Sequence, residues 1–115
     1  MKKAVVEAWL SGLRSGEYKQ YHGSVNNGQY AYHEDSTRKM TEAPDSFCCI
    51  GVGAACNGMR IEDMRITDHA SDFIGLGKNS DWEKELIRMN DGQYKSFTEI
   101  ADWIEANILP NATEE

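Results

Sequence analysis

Apolar residues recur at three- and four-residue spacing in Val5, Val6, Trp9, Leu10 and Leu13, which predicts a helix over residues 2–14 with one buried stripe. Ser15-Gly16 marks its end, and Arg14 in the last turn complements the helix carbonyls. The helical period then disappears over residues 17–33. That segment holds Tyr18, Tyr21, Tyr30 and Tyr32 around an Asn26-Asn27-Gly28 turn signal, a pattern that predicts a short antiparallel hairpin. Strand alternation would put Tyr30 and Tyr32 on one face and Ala31 and His33 on the other. Residues 34–46 are the most polar internal stretch and read as a surface loop, in which Pro44 disfavours helix at Ala43.

Residues 46–56 follow, an eleven-residue run without charge that contains Cys48, Cys49 and Cys56. Residues 47–56 could form a helix or a buried strand; Asp45 or Ser46 as a cap and Asn57-Gly58 as a stop favour the helix despite Gly51 and Gly53. Residues 60–65 suggest a short strand, and Asp68 a cap for a short helix through Phe73 that stops at Gly75 or Gly77. Ser80 and Glu83 form a capping box that opens a helix with Trp82, Leu86 and Met89 inward, ended by Asn90-Asp91-Gly92. Ser96 and Glu99 repeat the device, and Phe97, Ile100, Ala101, Ile104 and Ile108 form the clearest apolar stripe in the chain. Pro110 ends that helix and residues 111–115 read as a frayed acidic tail.

The expectation is therefore an α+β domain over residues 1–110, with four main helices packed on a small antiparallel hairpin around one core. A chain of 115 residues holds one core but not two. The buried thiol run should be gripped by the tryptophan-bearing first helix and the final isoleucine-lined one. A net charge of -7 disfavours non-specific attraction to nucleic acid and to anionic lipid, and suits a basic protein partner. No apolar run is long enough for a membrane span and no secretory signal is visible, which predicts a cytoplasmic protein with reduced cysteines. Three cysteines, two of them adjacent, make a poor disulfide framework.

Three kinds of chemistry can be weighed against packing. A nucleophilic Cys48 or Cys49 in the first turn of a helix would gain thiolate character from the helix dipole, with His22, His33 or His69 as base. Cysteine in an apolar run is, however, usually a packed small hydrophobe. Zinc finds no paired C-x₂₋₄-C knuckles, and Asp63, Asp68, Asp72 and Asp81 lack the tight alternation of a calcium loop, so neither metal nor cofactor is expected. Gly75-Leu76-Gly77-Lys78 is only a partial echo of a phosphate-binding loop. Tyr18, Tyr21, Tyr30 and Tyr32 are the candidate binding residues, for a protein surface or a small molecule, because tyrosine offers a rigid amphipathic contact. Base stacking is disfavoured where Lys19, Arg38 and Lys39 compete with Glu17, Glu34, Asp35 and Glu42.

Four blocks carry a resemblance. Trp9-Leu10-x-x-Leu13-Arg14-Ser15-Gly16-x-Tyr18-Lys19-Gln20, then Phe47-Cys48-Cys49-Ile50-Gly51-Val52, then Met89-Asn90-Asp91-Gly92, then Ser96-Phe97-x-Glu99-Ile100-Ala101-Asp102-x-Ile104-Glu105 resemble a widespread group of small uncharacterised proteins of bacteriophages and prophages. Members of that group commonly have Leu in place of Ile50 and a cysteine placed like Cys56, and this chain has a longer polar insertion between Gln20 and Phe47. The resemblance implies a phage accessory protein that modulates or inhibits host machinery, and it brings no catalytic or binding role to any residue. The expected function is non-enzymatic, stoichiometric binding to a host protein. The alternatives are a small-ligand binder and a cysteine-dependent enzyme using Cys48 or Cys49 with His22 or His33.

Overall fold

A computed structural model describes residues 1–32 and 38–114. Helix α1 (Lys3–Arg14) is followed by strands β1 (Lys19–Gln20), β2 (Gln29–Tyr32), β3 (Arg38–Glu42) and β4 (Ser46–Phe47). Helices α2 (Cys49–Cys56), α3 (Thr67–Phe73), α4 (Asp81–Ile87) and α5 (Phe97–Asn107) complete the architecture, so the fold mixes α and β as expected. Among the described residues there are five α-helices against the four main ones expected; the fifth is the short helix expected through Phe73, which runs from Thr67. No helix among them is long and apolar enough to cross a membrane.

The centre of the fold is α2. All residues from Cys49 to Ala54 are buried, which is the placement that a helix apolar on every side requires. It packs against α1, α3 and α4, while α5 packs chiefly on α1. The expectation that the final helix grips the thiol run is corrected accordingly: α5 supports α1 from behind, and Arg14 spans the pair by bonding Asp102 at 2.9 Å and Glu105 at 3.1 Å. Close approach of α1 and α2 depends on missing side chains. A Cβ on Gly12 would stand 2.1 Å from Cys56 Sγ, and one on Gly53 would stand 2.9 Å from the Trp9 indole. Trp9 is thereby fully buried and donates its indole N–H to the Cys49 carbonyl at 2.8 Å. Burying a side chain of that size contributes about 2–3 kcal/mol or more, and the indole N–H is satisfied at the same time.

The predicted hairpin across Asn26-Asn27-Gly28 does not form. β1 instead pairs in parallel with β4, Lys19 opposite Ser46 and Gln20 opposite Phe47. β2 pairs antiparallel with β3, within the stretch read as a polar loop: Tyr30 lies opposite Met40, Ala31 opposite Lys39 and Tyr32 opposite Arg38. The physical reason lies in the two asparagines. Asn26 Oδ1 accepts the Gly28 N–H at 2.8 Å and its amide N–H bonds the Met64 carbonyl at 3.0 Å. Asn27 Oδ1 accepts the Asp45 and Ser46 N–H groups at 2.9 and 3.1 Å. Asparagine side chains compete with the backbone for such bonds. Here they lock β4 in place instead of closing a two-residue turn.

Smaller departures have similar local causes. Residues expected as a strand at 60–65 contain a 3₁₀ turn, Ile61–Asp63, and α3 is entered from Ile66 with Asp68 inside its first turn and no side-chain cap. α4 does not end at Asn90 but runs into a π turn, Arg88–Gly92. Trp82 is half-buried where it was expected inside, and Glu83 is turned inward to accept the Asn79 N–H at 2.8 Å. The terminal segment is stitched down rather than frayed: Lys3 N–H bonds the Thr113 carbonyl at 2.7 Å and Thr113 N–H bonds the Met1 carbonyl at 2.9 Å.

Candidate functional site

The two adjacent cysteines occupy the entry of α2. Cys48 is the N-cap residue in extended conformation, and its Sγ accepts the Gly51 N–H at 3.4 Å. Cys49 opens the helix, with its Sγ directed to the Leu86 carbonyl at 3.8 Å. Both side chains are buried. Burial pushes the Cys48 thiol up to about 12, against the downward pull of the Gly51 and Ile50 N–H groups, and the Asp91 carboxylate adds to the rise. Cys49 is raised well above its ordinary value, first by burial and then by the charges of Cys48 and Asp91. Both are therefore neutral thiols near pH 7, and helix-dipole activation is outweighed by desolvation. The fold thus presents neither Cys48 nor Cys49 as an exposed thiolate.

The histidines do not join them. No hydrogen bond among the described residues links His22 or His69 to a cysteine. His22 stacks edge-on against Tyr94, with ring centroids 4.6 Å apart. His69 lies on the exposed side of α3, and His33 is outside the described residues. Among the described residues no three His, Cys, Asp or Glu side chains gather in a metal-binding group.

The candidate binding tyrosines are dispersed. Tyr18 stacks edge-on against Phe47 at 5.9 Å, and its phenol is pushed up to about 12 chiefly by a hydrogen bond with Cys56, then by partial burial. Tyr18 and Cys56 line an open groove of about 400 Å³ beside α1, together with Ser11, Gly12, Ser15 and Glu17. Tyr21 is half-buried and its carbonyl is tied to Asn90. Tyr30 and Tyr32 hold their register positions in β2, and nothing in that register brings them to Tyr18.

Two residues outside the sequence-based candidates organise the surface next to the thiols. Asn90 is buried, and its side chain makes four hydrogen bonds: Oδ1 accepts from Cys49 N–H and from Gln20 Nε2, and Nδ2 donates to the Tyr21 carbonyl and to Asp91 Oδ1. An amide offers two donors and two good acceptor sites, so its capacity is filled. The π turn makes this possible: the widened backbone puts adjacent Met89 and Asn90 both inside. The second residue is Tyr94, 69% exposed and held at φ +52°. A bulky side chain pays about 1–3 kcal/mol for a left-handed backbone, and such strain persists only where neighbours over-determine it. The neighbours are Gln93, whose N–H bonds the Arg88 carbonyl at 2.9 Å, and Lys95, whose N–H bonds the Met89 carbonyl at 2.9 Å and whose carbonyl accepts from Gln20 at 2.8 Å. In sequence, the Asn90-Asp91-Gly92 signal pointed to a helix end and concealed both residues.

The arrangement thus presents a fixed aromatic side chain on a rigid corner built from His22, Gly23, Asp91 and Tyr94, where Asp91 Oδ1 also accepts the Gly23 N–H at 2.9 Å. No family model, curated protein or solved structure matches this chain.

Proposed function

We propose that this chain is a non-catalytic accessory protein of the phage kind its sequence resembles, and that it binds a host protein stoichiometrically to modulate or block it. The observation that carries the reading is Tyr94, a large aromatic side chain left 69% exposed on a strained and fully braced backbone. Exposed aromatics of this kind serve as anchors at protein interfaces, and a preset backbone reduces the ordering cost of binding. The net charge of -7 favours a basic partner and a fast encounter. The sealed Cys48 and Cys49 count against a thiol enzyme.

The experiment is retention of bacterial proteins on immobilised chain at moderate salt, followed by titration of any retained protein in purified form. A saturable complex that Tyr94→Gly weakens by about tenfold or more, with folding intact, supports the reading. No specific retention, or retention indifferent to Tyr94→Gly, sinks it. A second reading, small-ligand binding, is favoured by the groove that holds Tyr18 and Cys56. A compound that protects Cys56 from alkylation and shifts the amide resonances of Ser11 and Glu17 would support it.

A further inference from the structure

Half-buried Asp91 carries a charge that its surroundings do not answer. Its Oδ1 accepts two N–H groups, from Gly23 at 2.9 Å and from the Asn90 side chain at 2.7 Å, and neither donor is charged. The basic residues nearest to it in sequence are engaged elsewhere: Arg88 holds Glu85 through two bonds, at 2.6 and 3.1 Å, and Lys95 stands 3.9 Å from Glu99. Among the described residues Asp91 enters no ion pair. Tyr94 shares its corner. Gly23 is bonded to Asp91, and the ring of the preceding His22 packs edge-on with the Tyr94 ring at 4.6 Å, so residues 22–23 hold the carboxylate and the exposed aromatic side by side.

This neighbourhood selects what can cover Tyr94. A partner surface that buries the ring also takes water from the adjoining carboxylate, and a carboxylate desolvated without a counter-ion is heavily penalised. A purely apolar pocket closing on Tyr94 would incur that penalty. A cation removes it and also meets the electron-rich face of the ring. With two bonds made at Asp91 Oδ1, further donors are directed to Oδ2. A guanidinium suits both demands, because it stacks flat on an aromatic face while its N–H groups point outward from its edge, whereas an ammonium is a compact and more strongly hydrated charge. We propose that the Tyr94 corner takes an arginine side chain of the partner protein, its guanidinium stacked on the Tyr94 ring and one N–H donated to Asp91 Oδ2. The proposal rests on the host-binding reading and deepens it by naming the contact the partner supplies. The chain's excess of acidic over basic side chains, 19 against 12, favours approach of a surface that carries such a residue.

The test is selection of a displayed library of random peptides on the immobilised full chain at physiological salt, followed by synthesis of the strongest binder. Arginine is expected at a shared position of the selected peptides, and the synthetic peptide should move the amide resonances of Gly23, Asp91 and Lys95. Replacing its arginine by citrulline, which keeps the shape and removes the charge, should weaken binding to the wild type by about tenfold or more. Against Asp91→Asn the same replacement should cost no more than about twofold, because the two changes remove one contact and are not additive. Asp91→Asn keeps the oxygen that accepts from Gly23 and Asn90, so the corner itself is preserved. Asp102→Asn removes an equal charge from α5, where Arg14 already pairs it, and should leave the citrulline effect at its wild-type size. Selected peptides without arginine, a citrulline effect equal in the wild type and Asp91→Asn, or a library that yields no binder would each overturn the proposal. Retention of bacterial protein that depends on Tyr94 is scored separately, so the arginine contact can fail while the host-binding reading stands.

Discussion

Replacement of Asn90 by alanine is the sharpest probe of the fold around the thiols. The variant deletes four hydrogen bonds, but the partners differ in what they retain. Gln20 keeps its bond to the Lys95 carbonyl, and Asp91 keeps the Gly23 N–H. The Cys49 N–H is left buried and orphaned, which costs about 1–3 kcal/mol. The Tyr21 carbonyl belongs to a half-buried residue and regains water in part, so its loss is about 1 kcal/mol. The expected destabilisation is about 2–4 kcal/mol, a large share of the 5–15 kcal/mol of a typical domain. Urea unfolding followed by the fluorescence of buried Trp9 measures it, because that indole is bonded to the carbonyl of the same Cys49. Asn57→Ala is the comparator: Asn57 is half-buried at the other end of α2, bonding the Val5 and Gly53 carbonyls, and should cost about 1 kcal/mol. If Asn90→Ala costs no more than Asn57→Ala, the view that a filled amide organises this corner is wrong.

The remaining expectations can be checked on the same material. Native protein should show one thiol reactive to an aromatic disulfide reagent, Cys56, with Cys48 and Cys49 released only on unfolding; two fast thiols would contradict the burial described. Because Cys48 is pushed up to about 12, mildly alkaline pH should not expose a second reactive thiolate while the fold persists. Gly51→Ala should destabilise by about 1–3 kcal/mol although alanine is the better helix former, since its Cβ would stand 2.5 Å from the Val25 carbonyl oxygen; urea midpoints decide the sign. A tyrosine ionising near pH 12 is expected in a spectrophotometric titration, that of Tyr18, moving back towards 10 in Cys56→Ala. Its folded value lies above the unfolded one, so the associated stability is complete below the unfolded value and is lost as pH rises through about 10–12.

Elements written in local periodicity were legible, and those written in side-chain bonds to distant backbone were not. α1 and α5 follow from apolar spacing, down to the Ser96 and Glu99 box, which forms in both directions, whereas α2 is capped by Cys48 and not by the expected Asp45 or Ser46. The sheet misled because Asn26-Asn27-Gly28 is a hairpin signal only if its amides are free. Their partners, Met64, Asp45 and Ser46, lie up to 38 residues away. The uncharged thiol run correctly indicated burial. Which helices would enclose it depends on the close approach allowed by Gly12 and Gly53, and a glycine in sequence does not reveal what it admits.

Burial of Asn90 and exposure of Tyr94 belong to one construction. Within the π turn at residues 88–92, Asn90 reaches both the Cys49 N–H and the Tyr21 carbonyl. That same turn fixes where the chain leaves the helix. Gln20, bound to both Asn90 Oδ1 and the Lys95 carbonyl, then holds the exit segment on β1. Tyr94 lies between these fixed points and takes the left-handed conformation. The aromatic corner therefore inherits its rigidity from the buried amide, and a surface whose geometry is set from the core in this way suits recognition of a preformed partner surface.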